Sequence, residues 1–356
     1  STLAVWLKAA GYHTGIYGKY INGYGPAAPY QAPGWDEWHV FKNVAYFNYI
    51  LVENGTQVAF GSADTDYSTD VLRDKVVQFI HDSAGQQPFF LCFVPKAPHA
   101  PATPAPRHAG SYSGTPPWRP PNYNEADVSD KPAWVQAIAP WGPTRQNNQD
   151  AFDRMQLECL QAVDEAVAAV IQALKDIGQD QTTMIIYASD NGYSWGSHRW
   201  EPKQCPYEEC MRVPLVIRYP PLAPLPRVEN GFGLNIDHAE TLAELAGATP
   251  DPGVEGRSMV RLLDGTEPAW RTDFLEEHWH NAQIPTFAQV RGPQWKYTEY
   301  VTAERELYDE DADPFELTNV VDDPANASLV SDLADRLREL RPGWPEASPS
   351  GAFVLP

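Results

Sequence analysis

The sequence predicts an α/β protein with a mainly parallel central sheet flanked by helices, followed by a small C-terminal antiparallel sheet plus helix. Three observations predict it. Short apolar runs alternate with amphipathic helical segments up to about residue 280. The run Met184-Ile185-Ile186-Tyr187-Ala188 stops at Ser189-Asp190-Asn191-Gly192, as a buried strand does when its C-terminal end opens into a site. After that the pattern changes to consecutive short strands and a single helix. The expected division is therefore residues 1–280 and residues 281–356.

The elements follow in order. Residues 1–11 read as a capped helix ending at Gly11. They carry no initiator Met and no leader pattern, so the chain is expected to begin inside a fold. Residues 12–17 form a short strand, closed by Gly18-Lys19, and a Gly/Pro/aromatic loop covers residues 22–38. Residues 49–53 and 57–60 flank Asn54-Gly55, a hairpin signal. Residues 67–83 are helical, because Val71, Leu72, Val76, Phe79 and Ile80 share a face. Residues 88–94 form a buried strand, and a proline-rich loop with His99 and His108 follows. The longest helix spans residues 151–177, the next strand residues 184–188, and another strand residues 215–219. Residues 238–246 and 257–263 are short helices. Residues 287–291, 294–301 and 306–308 are strands, and residues 325–340 a helix.

Composition bounds the function. The 356 residues include 47 acidic and 26 basic side chains, for a net charge of −21. Nucleic-acid binding normally needs a basic excess or stripe, and neither is present. No apolar run approaches the ~18 residues of a membrane span. An acidic protein that handles anions must build a local positive pocket from a metal or a few cations. Of the four cysteines, Cys92 and Cys159 lie in apolar patterns and read as core thiols. Cys205 and Cys210 are close enough to pair, but nothing in the spacing demands it. No CxxC occurs, which removes zinc-ribbon and thioredoxin-type readings.

Four polar clusters follow strand-like or helix-like runs. They are Gly18-Lys19-Tyr20, Pro98-His99-Ala100-Pro101, Ser189-Asp190-Asn191-Gly192, and the stretch from His198 through Lys203 to Tyr207-Glu208-Glu209. Singly, each has an ordinary reading: a surface lysine, a loop histidine, an Asp-Asn-Gly turn. Jointly, they fall where a doubly wound sheet gathers its ligand contacts. Asp190 and Asn191 offer hard oxygen donors suited to calcium or magnesium.

In this combination the chain resembles the sulfatase family, within the alkaline-phosphatase-like superfamily. The resemblance runs from Gly11-Tyr12-His13-Thr14 and Gly18-Lys19 through Pro98-His99, Ser189-Asp190-Asn191-Gly192, Gly196-Ser197-His198, Lys203 and Tyr207-Glu208-Glu209. It continues through Arg212-Val213-Pro214-Leu215 to Leu307-Tyr308-Asp309 and Asp313-Pro314. Gly18-Lys19-Tyr20-Ile21-Asn22 with Gly34-Trp35-Asp36 is similar to the N-acetylglucosamine-6-sulfatases and the extracellular heparan endosulfatases, whose substrates are glycosaminoglycans. The resemblance implies Asp190 and Asn191 as ligands of Ca2+, with Mg2+ as the other candidate. It implies Lys19 and Lys203 as holders of sulfate oxygens, His99 as a sulfate contact or proton donor to the leaving group, and His198 as a histidine near the same pocket. It implies a sulfated sugar or aryl sulfate as substrate and an exported, periplasmic or lysosomal-like location.

The chain also departs from that family. Sulfatases use a cysteine in Cys-x-Pro/Ala-x-Arg, oxidised to formylglycine, as nucleophile. None of the four cysteines has that setting, and the paired aspartates of the family's first strand are absent as well. Two oxygen ligands are too few for calcium, which takes about 6–8. The expectation is a sulfatase that lacks its N-terminal segment. Two other readings stand beside it: a phosphodiesterase or phosphonate hydrolase of the same superfamily, and a degenerate, non-catalytic anion- or glycan-binding protein. The coding sequence upstream of Ser1 discriminates among them.

Overall fold

A computed structural model describes residues 2–266, 269–280 and 283–345. The elements in chain order are α1 (Leu3–Ala9), β1 (His13–Gly18), β2 (Glu37–Phe41), β3 (Ile50–Glu53), β4 (Thr56–Ala59), α2 (Ser68–Asp82), β5 (Phe89–Val94), α3 (Ala133–Gln136) and α4 (Pro143–Asp176). They continue with β6 (Ile185–Ala188), α5 (Glu208–Met211), β7 (Leu215–Arg218), α6 (Asp237–Ala246), α7 (Val260–Leu263), β8 (Phe274–His278), β9 (Phe287–Arg291), β10 (Trp295–Tyr300), β11 (Arg305–Asp309) and α8 (Ala327–Leu340).

The larger sheet has the order β4-β3-β2-β1-β5. Its heart is parallel, with β1 between β2 and β5. The outer hairpin β3-β4 runs antiparallel, which makes the sheet mixed. Asn54 and Gly55 both have positive φ (45° and 88°), the geometry of a two-residue hairpin turn. The α2 residues Leu72, Val76, Phe79 and Ile80 pack with Tyr17, Phe41 and Leu51 of the sheet and with Leu174 of α4. Strand β2 begins inside the stretch expected to be loop, residues 22–38. Its Trp38 and Val40 are fully buried, while Glu37 and His39 alternate with them.

Strands β6 and β7 form a separate antiparallel pair. Among the described residues, β5 pairs only with β1 and β6 only with β7. Between β5 and β6 lies a cavity of about 2080 Å³. Phe90 and Cys92 of β5, Ile186 of β6, Val163, Val167 and Ile171 of α4, Leu3 and Leu7 of α1, and Leu242 and Leu245 of α6 line it. Ligand sites run to roughly 300–1,000 Å³. A mostly apolar slot of at least twice that size, bounded by two strand edges and three helices, is an unfilled part of the middle layer.

The C-terminal sheet is antiparallel in the order β11-β10-β9-β8. Helix α8 packs on it through Val330 and Leu337, against Ala288, Val290, Tyr297 and Leu307. Strand β8 is the earliest member of this sheet, so the expected division at residue 280 cuts through it. The physical reason is the pairing of Glu276 with Gln289, which draws a charged strand onto β9. The expected boundary itself falls at Asn281 and Ala282, outside the described residues, as does the tail from residue 346.

Candidate active site

The site is built at strand ends. Strand β1 finishes at Gly18, whose φ is +122°. A Cβ there would lie 1.8 Å from the Val94 carbonyl oxygen, so only glycine lets β1 close onto β5. The next residue donates its backbone N–H to that same carbonyl at 2.8 Å and turns the Lys19 side chain into the cavity. Strand β5 ends at Val94, and the loop after it carries Lys96 and the exposed His99. Strand β6 ends at Ala188, and Asp190 and Asn191 follow.

Lys19, His99, Asp190, Asn191 and Lys203 all line the one cavity. Lys203 donates to Asn191 Oδ1 at 2.9 Å, which ties the loop after Trp200 to the end of β6. His99 Nδ1 lies 2.8 Å from its neighbour's carbonyl, Ala100 O. That carbonyl can only accept, so Nδ1 carries the proton and Nε2 is the nitrogen left for a ligand. Tyr46 donates its hydroxyl to His99 O at 2.8 Å and anchors the histidine backbone. The Asp190 carboxylate has no hydrogen-bond or ion-pair partner among the described residues.

His198 does not join this group. Its side chain is fully buried, with Nδ1 2.7 Å from Glu125 Oε2 and Nε2 3.3 Å from Asn122 Nδ2. Burial pushes the imidazole down to about 3 and pushes Glu125 up to about 7. The resemblance to the sulfatases implies a histidine near the pocket at this position. The fold sends it inward instead, where it braces the segment that carries Lys203.

This pair gives a pH prediction. Glu125 is raised above its unfolded value, so its contribution to stability is full below about pH 4.5 and is lost as pH rises through about 7. His198 is depressed, so its contribution is present above about pH 6.5 and lost as pH falls toward 3. Glu125→Gln keeps an acceptor for His198 and removes only the first effect. The variant should therefore gain on the native protein between pH 5 and pH 8, by on the order of 3 kcal/mol at most. Parallel urea-midpoint curves for the two proteins across that range would contradict it.

A second polar cluster lies next to His198. His198, Glu209 and Glu316 place one ligand atom each within 4.8 Å of one another, a possible metal triad. Donors already face both carboxylates of this cluster. Asn122 Nδ2 donates to Glu209 Oε1 at 2.7 Å, and the buried Lys296 ammonium contacts Glu316. A cation there would have to displace an ammonium, so the cluster reads as a hydrogen-bonded brace. Nearby, Tyr207, Tyr300 and Tyr308 all donate to the buried Glu306 carboxylate.

Cys205 and Cys210 form a disulfide, with both residues buried. It closes the turn between Lys203 and α5. Gly192 donates to Cys210 O at 3.0 Å, so the bridge also abuts the Asp190 loop. Removing both sulfurs (Cys205→Ser with Cys210→Ser) should cost about 2 kcal/mol, the loop-closure term for so short a ring. Urea unfolding with and without reductant checks this; equal midpoints for the oxidised native protein and the double variant would contradict it.

Lys96 was not singled out by the sequence, because a lysine just past a strand looks like any solvated one. Its buried position is the signal that was missing.

Comparison with known proteins identifies the family. Residues 1–248 match the sulfatase family, and residues 196–343 match the family described as N-sulphoglucosamine sulphohydrolase, C-terminal. The chain is 32% identical over 284 residues to an extracellular sulfatase SULF-1 homologue of Drosophila melanogaster, covering 77% of this chain and 25% of that protein. It is 31% identical over 286 residues to the N-acetylglucosamine-6-sulfatase of Homo sapiens, covering 77% of this chain and 51% of that one. The chain thus spans about a quarter and about half of the lengths of these relatives. A structure solved in complex with its substrate D-glucosamine-2-N,6-O-disulfate superposes with a TM-score of 0.83 at 23% identity, over 95% of this chain and 81% of that chain. With the family match covering well over half of its length, the chain belongs to the sulfatase family.

Proposed function

We propose that the protein is a sulfuric ester hydrolase acting on a sulfated sugar, with an amino sugar carrying a 6-O-sulfate as the first candidate. The observation that carries this reading is the meeting of Lys19, His99 and Lys203 with Asp190 and Asn191 on one cavity. Lys19 and Lys203 bind sulfate oxygens and offset the charge that grows on them in the transition state. His99, as the imidazolium, keeps its Nδ1–H on Ala100 O and gives its Nε2 proton to the bridging oxygen of the leaving alcohol. The relatives named for extracellular and N-acetylglucosamine-6-sulfatase activities support the substrate class, and the disulfide supports a location outside the cytoplasm.

Proteins of this family generally bind a divalent metal. Asp190 and Asn191 supply the right chemistry, two hard oxygens: the Asp190 carboxylate has no hydrogen-bond or ion-pair partner among the described residues, and Asn191 Oδ1 takes the Lys203 ammonium, which a cation would displace toward the sulfate. Calcium takes about 6–8 oxygens, so these two make only part of a shell. When bound, such a cation would spread the negative charge of the sulfate. The remaining ligands and the nucleophile belong, in this reading, to a further β-strand seated between β5 and β6. The two open strand edges and the apolar walls of the slot fit a strand of alternating or fully apolar pattern.

The test is a substrate comparison on the protein completed by a segment bearing Cys-x-Pro-x-Arg, with calcium and a formylglycine-generating enzyme. Glucosamine 6-sulfate and an aryl sulfate should be turned over in preference to a phenylphosphonate ester. Preference for the phosphonate would move the assignment to the phosphonate hydrolases of the superfamily. Sulfate binding without turnover would favour the non-catalytic reading.

A further inference from the structure

We propose that Lys96 belongs to the anion site, both as a cation beside Lys19 and as the residue that holds His99 in position; this rests on the sulfate-ester reading of the cavity. Lys96 follows β5 by two residues and lines the same cavity. It is buried, at 8% exposure, yet among the described residues no carboxylate lies within ion-pair reach. Its ammonium donates to Ala100 O at 3.0 Å and sits 5.3 Å from the centre of the Tyr46 ring. A buried ammonium normally takes a carboxylate partner. In a chain with 47 acidic residues there is no shortage of candidates, so leaving it unpaired keeps positive potential for something that comes and goes.

The second role follows from a shared acceptor. Ala100 O receives both the Lys96 ammonium and His99 Nδ1. The Lys96 contact fixes that carbonyl, the carbonyl fixes the His99 tautomer and ring plane, and Nε2 is held toward the cavity. Tyr46 completes the frame, with its ring against Lys96 and its hydroxyl on His99 O. Burial and the proximity of Lys19 both lower the basicity of Lys96, as expected for a cation kept without a partner. An arriving sulfate would relieve both effects.

The experiment titrates inorganic sulfate into the native chain, Lys96→Met, Lys96→Arg and Lys19→Ala, by calorimetry. The Lys96 Nζ and His99 ring nitrogens are followed by NMR in the native protein. Lys96→Met should bind sulfate at least tenfold more weakly and lose the distinct Nδ1-protonated signature of His99. Lys96→Arg should stay within about threefold of native, since it keeps the charge. The native Lys96 Nζ signal should move with sulfate, a readout that needs no variant to fold. If the native chain binds sulfate and Lys19→Ala weakens it, while Lys96→Met binds normally and the Lys96 signal stays still, the Lys96 proposal is overturned and the site reading survives. If the native chain takes no sulfate, the site reading falls and Lys96 falls with it.

Discussion

The 356-residue chain on its own should hydrolyse no sulfate ester above the buffer rate, whereas the protein completed by a strand bearing the nucleophile should do so. The pocket residues bind, orient and protonate, but covalent catalysis needs a nucleophile. None of the cysteines is available as one. Burial pushes the Cys92 thiol up to about 12 and the Cys159 thiol up to about 11. Cys205 and Cys210 are spent in a disulfide. Uncatalysed ester hydrolysis of this kind is so slow that enzymes must supply well over 8 kcal/mol of barrier reduction. Positioning the ester and protonating its leaving group give part of that, and the covalent step supplies the rest. A fluorogenic aryl sulfate assay on both forms decides the matter. Equal turnover would place the nucleophile on a residue of this chain outside the argument.

Lys296→Met should destabilise the fold by about 3–5 kcal/mol, the cost of breaking a buried ion pair from one side. Lys296 is 1% exposed and faces Glu316, Glu310 and Glu208. These carboxylates surround one ammonium, which is held well above the usual lysine range mainly by Glu316 and Glu208 against the cost of burial. Without it, like charges are left facing one another in a dry interior. The consequence reaches the site, because Glu316 also accepts from the Glu208 backbone N–H at 2.8 Å and so holds α5 behind Lys203. Lys296→Met combined with Glu316→Gln should recover part of the loss. Urea unfolding of the single and double variants checks this. A loss below 1 kcal/mol in the single variant would mean that the pair is far better solvated than its burial indicates.

Much of this architecture is legible from periodicity. The apolar spacing of residues 67–83 becomes α2, and Asn54-Gly55 becomes the β3-β4 turn with both φ values positive. Residues 325–340 become α8, trimmed by two residues at its start. Other elements were hidden for identifiable reasons. Strand β2 carries Glu37 and His39 between its apolar residues, and it follows a loop of glycines and prolines. Strand β8 holds Glu276 and Glu277 and is a strand only because β9 pairs with it. Helix α4 starts at Pro143, eight residues before the start expected at residue 151, since a proline at the first position suits a helix start.

The site was legible to a different degree. Lys19, His99, Asp190, Asn191 and Lys203 sit after strand ends or in the loop that returns to them, where a doubly wound sheet is expected to gather its contacts, and all five line one cavity. His198 and Lys96 could not be sorted that way. Both lie a few residues from a strand-end motif, and what separates them is the direction each loop takes. His198 has a positive φ of 51°, which turns it inward toward Glu125. The Lys96 side chain stays against Tyr46 and the cavity.

The central claim is that one anion site is shared by Lys19, His99 and Lys203. A crystal structure of the protein with glucosamine 6-sulfate tests it most directly. The sulfate group should sit within ~3 Å of both Lys19 Nζ and Lys203 Nζ, with His99 Nε2 facing the bridging oxygen, as charge-assisted hydrogen bonds require. A sulfate bound elsewhere, or Lys19 and Lys203 held on separate partners with the sugar outside the cavity, would contradict the account.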